Sequence, residues 1–163
     1  MQLLISDANI FIDLLEGDIL ELLFELPFEF IAPDILYYEE LEELHSHLLD
    51  MGLKLGTLDE TEMELVGHLA NQYRDPSRSD CMALVLAQKE SCPLLTGDRA
   101  LRTAASQEGV PVNGTIWLIE QLLGHRLLTE DEAYLSLDKM EHSGRRLPWK
   151  LARERVTIKH RIR

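Results

Sequence analysis

Cysteine is nearly missing from this 163-residue chain: Cys81 and Cys92 are the only two. Two are too few for a disulfide framework or a zinc site. Both sit in apolar company and are expected to be buried free thiols. Long apolar runs are missing as well. None reaches the roughly 18 residues that a membrane span needs, so no membrane contact is expected. The first residues, Met1-Gln2-Leu3-Leu4-Ile5, carry no basic n-region. No signal peptide is read there, and the expected location is the cytoplasm. The six histidines offer no metal-ligand spacing beyond His45 and His47, which a continuous helix turns to different faces. Internal repeats and low-complexity blocks are also absent.

Positive charge is scarce: 16 Lys and Arg stand against 29 Asp and Glu, for a net charge of −13. That balance is wrong for a protein that grips phosphate over its whole surface. The charge is unevenly spread, however. From Ser143 onward there are eight Lys and Arg and one Glu, a local +7, so the first 142 residues carry −20. The chain is an acidic body with a basic tail. Part of the acidity is solvated surface. Part of it fits a carboxylate cluster, which requires a cation.

What the chain does have is a repeated alternation. Leu3–Ile5 reads as a strand buried on both faces, and Asn9 to Leu15 as the helix after it. A short helix follows over 19–24, then a strand at Phe28–Ala32 between Pro27 and Pro33. Asp34 stands at the N-cap position of a long helix, Ile35 to about Leu49. Leu53–Leu58 reads as a short strand. Asp59 and Glu62 form a capping box that opens a helix to about Tyr73. A buried helix starts at Ser79 or Asp80. Pro93–Thr96 is a strand, Arg99–Glu108 a helix closed by Gly109, Val110–Val112 an edge strand and Ile116–Leu123 a helix. Thr129 and Glu132 open a last helix to about Glu141, and a basic tail ends the chain. Strands alternating with helices predict a three-layer α/β sandwich around a central, mainly parallel five-stranded sheet. Residues 1–130 read as the domain and 131–163 as a C-terminal helix and basic tail.

Four carboxylates stand out by position. Asp7 ends the first strand and Asp98 follows the Leu94-Leu95-Thr96 strand. Asp80 opens the buried helix. Glu40 lies two turns into the helix after Asp34. The carboxyl edge of an open α/β sheet is where ligands bind. Each Asp also has a plainer reading as a helix cap. Glu40 lies in the run Glu39-Glu40-Leu41-Glu42-Glu43, and such runs are commonly a solvated face. Counting from Asp34, residues 36, 40 and 44 share one stripe, which sets Glu40 beside Leu36 and Leu44. Glu39 and Glu43 remain alternatives. Carboxylates that converge raise one another's pKa, and a divalent cation keeps all of them charged. Mg²⁺ and Mn²⁺ prefer oxygen ligands, deliver a hydroxide nucleophile and neutralise a phosphoryl oxygen.

The stretches Ser6–Leu14, Asp34–Leu41, Ser79–Ala87, Leu94–Arg102 and Asn113–Ile119 together resemble the PIN-domain family, close in type to the VapC-like ribonuclease toxins. The resemblance covers roughly residues 1–130. It implies a five-stranded parallel α/β sandwich and a Mg²⁺- or Mn²⁺-dependent endoribonuclease with acidic site residues at Asp7, Glu40, Asp80 and Asp98. Asp7, Asp80 and Asp98 would hold the metal. Asn9 matches a polar position that supports the first Asp, and Thr96 a hydroxyl position beside the last. The chain departs from the compact toxins in its Glu39-Glu40 doublet and in its longer segment from Leu127 to Arg163. Near the acids in sequence, Arg78, Arg99 and Arg102 (with Arg74) are candidates for binding the RNA substrate, as is the tail from Arg145. The resemblance also implies an antitoxin partner lying over the acidic groove. Phe24, Phe28, Tyr37 and Tyr38 are offered to that contact or to a homodimer, with core packing as their alternative role.

Two other phosphate chemistries fit poorly. Asp7-Ala8-Asn9-Ile10-Phe11 lacks the second Asp of the haloacid dehalogenase pattern. A receiver-like module needs a Lys after a late strand, where Lys89 does not stand. An RNA-processing nuclease that is not a toxin, and an inactive PIN-fold scaffold, stay open as alternatives.

Overall fold

Leu4 and Ile5 are neighbours in sequence and lie on opposite sides of the sheet, each fully buried in a different hydrophobic cluster. This is why the first strand reads as an unbroken apolar run. The computed structural model describes residues 2–162, with side chains to residue 159. The elements are β1 (Gln2–Ser6), α1 (Ala8–Glu16), α2 (Leu20–Leu23), β2 (Phe28–Pro33) and α3 (Asp34–Leu36). A π-helical turn (Tyr37–Leu41), α4 (Glu42–His45), α5 (His47–Met51) and β3 (Lys54–Gly56) follow. Next come α6 (Glu60–Gln72), α7 (Arg78–Glu90), β4 (Leu94–Leu95), α8 (Arg99–Gln107) and β5 (Val112–Asn113). The chain closes with α9 (Thr115–Gly124), α10 (Glu130–His142) and α11 (Trp149–Ile162).

The five strands are all parallel, in the order β3-β2-β1-β4-β5. In register, Ile5 faces Ile31 on one side and Leu94 on the other. The chain leaves β1 toward β2 and later returns to β4 on the opposite side. The β1–β4 boundary is therefore the topological switch point, where open sheets bind ligands. One layer of helices packs through Ile10, Leu14, Leu118, Leu122, Leu137 and Met140. The other layer packs through Val66, Leu69, Leu84, Val85, Leu101 and Ala104. Cys81 and Cys92 are free and buried, and burial pushes both thiols up.

The region after β2 differs from the continuous capped helix expected there. Pro33, not Asp34, occupies the N-cap position. Asp34 instead accepts from the Ile35 N–H (2.7 Å) and from Thr57 Oγ1 (3.2 Å). The helix is interrupted by the π turn, closed by the Glu42 N–H on the Tyr37 carbonyl. The extra residue shifts the buried stripe to Tyr37, Leu41 and Leu48 and leaves Leu44 78% exposed. Leu44 is thus not the apolar neighbour expected for Glu40. A second interruption at Ser46 brings the His45 and His47 rings to 6.0 Å, edge to face, rather than onto separate faces. Tyr37 lies in the core, Phe24 and Phe28 pack against it, and Tyr38 alone of the four aromatics is well exposed. α7 starts at Arg78, one or two residues earlier than read, because Ser77 and Asp80 form a reciprocal capping box.

The C-terminal helices share the main core. Ala133, Leu137, Met140, Ala152 and Val156 join the cluster that holds Leu4 and Phe11, with Leu147 and Trp149 packed against it. A Cβ placed on Gly17 would lie 2.5 Å from Met140 Cε, so α10 rides directly on the end of α1. The basic tail expected after residue 143 is largely the helix α11. His160, Arg161, Ile162 and Arg163, the last part of that tail, lie outside the described side chains.

Candidate active site

β1 stops at Ser6 because the next residue turns the chain into α1. Asp7 Oδ1 accepts from the Ile10 N–H (3.2 Å), capping that helix. Its Oδ2 accepts from Thr96 Oγ1, just past β4. The same Thr96 oxygen accepts from the Asp98 N–H (3.0 Å). Thr96 therefore ties together the two strand ends that flank the switch point. Asp98 Oδ1 caps α8 through the Leu101 N–H (2.8 Å), and Asp80 Oδ2 accepts from the Ser77 N–H (2.9 Å) at the start of α7. The plainer cap reading is thus geometrically real for Asp7 and Asp98, while Asp80 is the third residue of a capping box. It does not exhaust these groups: Asp80 Oδ1 and Asp98 Oδ2 make no hydrogen bond among the described residues.

The carboxylates feel one another. Burial pushes Asp7, 2% exposed, up to about 7 against the lowering pull of Thr96 and Ile10, with Asp80 and Asp13 adding to the rise. Burial raises Asp80 too, opposed by the Ser77 bonds and reinforced by Asp98. Burial raises Glu40, with Asp80 as the next cause and Glu39 after it. Asp80 is thus the hub on which Asp7, Glu40 and Asp98 converge. The starts of α1, α7 and α8 also meet here, and their positive dipole ends favour negative charge.

Among the described residues, no three His, Cys, Asp or Glu side chains are gathered tightly enough to enclose a metal ion. The donor chemistry nevertheless suits a hard, hydrated cation. All the groups are oxygen acids, their charges oppose one another, and two oxygens are unspent. Mg²⁺ commonly keeps several waters and takes one or two carboxylates plus substrate phosphates, rather than an all-protein cage.

The remaining candidates divide. Arg99 and Arg102 lie at the start of α8, just after Asp98, and line different cavities. Arg99 lines a cavity of about 650 Å³ with Tyr73 and Arg74, and Arg102 lines one of about 370 Å³ with Trp117. Arg78 is the exposed first residue of α7. Asn9 is exposed and accepts from Arg145 Nη2 (3.2 Å) rather than contacting Asp7.

Sequence reasoning did not single out Asp13 or Thr115, and it took Arg145 only as the start of a tail offered to RNA. Asp13 is buried on α1, takes the Thr115 hydroxyl (2.7 Å) and forms an ion pair with Arg145 Nε (2.6 Å). A charged residue amid Ile10, Phe11 and Leu14 was the available signal, since such a group demands a partner. The partner lies 132 residues away.

An all-parallel sheet whose switch point carries coupled carboxylates is the arrangement of a PIN domain. The chain belongs to the DUF3368 family of PIN domains, whose model matches residues 3–159. PIN domains are generally nucleases, which are hydrolases, and act on nucleic acid. No curated protein and no solved structure matches the chain. Among the described residues no helix is long and apolar enough to cross a membrane.

Proposed function

We propose that the protein is a Mg²⁺- or Mn²⁺-dependent endoribonuclease and acts as the toxin of a toxin–antitoxin pair. The observation that supports the nuclease reading best is the electrostatic convergence of Asp7, Glu40 and Asp98 on Asp80, from four separate stretches of the chain. Asp7, Asp80 and Asp98 are the metal-holding groups. When bound, the ion neutralises a phosphodiester oxygen and makes water a nucleophile at neutral pH. Glu40, raised by burial and by Asp80, is suited to take the proton from the attacking water. Thr96 fixes the Asp7 carboxylate, and the starts of α7 and α8 favour the charge of the reacting phosphate. Arg78, Arg99 and Arg102 are substrate contacts. Tyr38, 57% exposed on the π turn beside Glu39 and Glu40, is the aromatic best placed for an antitoxin or a second copy of the chain.

The test is digestion of RNA with added Mn²⁺, comparing wild type with Asp7→Asn. The variant should lose at least about 100-fold in rate, the range of a lost charge-stabilising group. Equal cleavage by both would remove Asp7 from the reaction. No cleavage by wild type, and no rise in melting temperature with excess Mn²⁺, would favour the scaffold reading. Induced expression separates the remaining roles: a toxin arrests growth and its Asp7→Asn form does not, whereas a processing nuclease leaves growth intact.

A further inference from the structure

Two guanidinium groups on the rim of the acidic site have no ion pair among the described residues: Arg102, from α8, and Arg146, from the linker before α11. Of the 14 Lys and Arg side chains described, six (Lys54, Lys89, Lys139, Arg145, Arg153 and Arg155) lie against carboxylates and eight do not. What sets Arg102 and Arg146 apart among the eight is the cavity they share with Trp117. Arg102 and Arg146 face one cavity of about 370 Å³, with Trp117 on its wall. A second cavity of about 280 Å³ contains Asp98 and shares Gly97 and Arg146 with the first. The two cavities thus adjoin at Gly97 and Arg146, which sets the arginine pair next to Asp98. Its outer wall is the C-terminal segment, through Arg146, Leu147, Pro148 and Leu151.

We propose that this groove holds single-stranded RNA on one side of the bond to be cut. Arg102 and Arg146 contact successive phosphates, and Trp117 is the face on which a base stacks. The assignment rests on the nuclease reading above and adds to it the part of the chain that holds the polymer. Phosphate-tracking cations beside an aromatic side chain are how single strands are gripped without sequence readout. The cavity with Arg74 and Arg99, which Asp98 also lines, lets the strand continue past the carboxylates, as internal cleavage requires. An acidic protein segment would use the arginines but has no use for the indole face.

The experiment measures binding of a fluorescein-labelled 12-nucleotide oligouridylate to the full chain in EDTA, by anisotropy over a salt series. Arg102→Ala/Arg146→Ala should raise Kd at least tenfold and reduce the slope of log K against log salt by about 1.4, the value for two single-strand phosphate contacts. Arg126→Gln/Lys139→Gln removes the same charge elsewhere and should stay within about twofold of wild type. In a Trp149→Phe background the oligomer should quench the remaining Trp117 emission. An unchanged Kd and slope in the first pair, or oligoglutamate binding as tightly as the RNA, would overturn the assignment. Arginine-dependent binding without Mn²⁺-dependent cleavage would sink the nuclease reading and leave the groove standing. Cleavage with an unaltered KM in the arginine variant would do the reverse.

Discussion

Asp7 is buried deeply enough that its proton becomes part of the fold. Its carboxyl is raised from 3.8 to about 7. Below pH 4 the folded and unfolded chains both hold the proton. Between about pH 4 and 7 the folded chain holds it and the unfolded chain has released it. Stability therefore falls as pH rises through that window, by on the order of 4 kcal/mol from this group alone. Asp80 and Glu40 are raised too and act in the same direction. In EDTA the melting temperature of the wild type should drop between pH 4.5 and 7.5. Asp7→Asn should flatten the drop, since Asn keeps the oxygen that caps Ile10. Mn²⁺ at pH 7.5 should recover much of the loss by binding only the native state. Parallel pH curves for the two proteins would show that Asp7 is not carrying this strain. At this scale the acids were readable, because strand ends and helix starts mark Asp7, Asp80 and Asp98 directly. Arg145 was not, because an ion pair closed across 132 residues leaves no local pattern.

The strands and most of the helices were legible from apolar runs, capping boxes and breakers. The run after β2 was not, because a π turn adds one residue without any change in composition. The expected stripe of Leu36, Glu40 and Leu44 dissolves once Tyr37 and Leu41 take the buried side. Glu40 keeps its place for another reason: the turn sets it within the field of Asp80. Of the three glutamates that the sequence left open, Glu40 is therefore the one we propose as the base. Glu40→Gln should lower kcat/KM for RNA by at least about 100-fold, the range of a lost general base. Glu39→Gln and Glu43→Gln should stay within about threefold of wild type. A larger loss at Glu39 than at Glu40 would mean that the π turn presents the other residue of the doublet to the substrate.

For the whole molecule the question is what the last fifth of the chain, residues 130–163, contributes. From the sequence, a boundary falls near residue 130, where the family resemblance ends; along α11, among the described residues, only Ala152 and Val156 are buried, amid charged neighbours. Two small apolar residues one turn apart are a faint stripe, easily read as a solvated tail. The packing is more consequential than that stripe. Leu137, Met140 and Val156 are buried against Leu118, Leu122 and Phe11, at roughly 1.5–3 kcal/mol each. Their sum is comparable with the whole stability of an ordinary domain, about 5–15 kcal/mol. A chain ended after residue 129 should therefore lose its cooperative melt. Arg145→Met keeps that core and removes the cation paired with buried Asp13, along with its bonds to Asn9, so it should fold and be less stable by about 3 kcal/mol. Adding Asp13→Asn should return most of the loss, because the unpaired charge is then gone. Thermal and urea melts of the three proteins decide the matter. A sharp transition at the wild-type temperature in the shortened chain would make residues 130–163 an accessory to a fold complete without them.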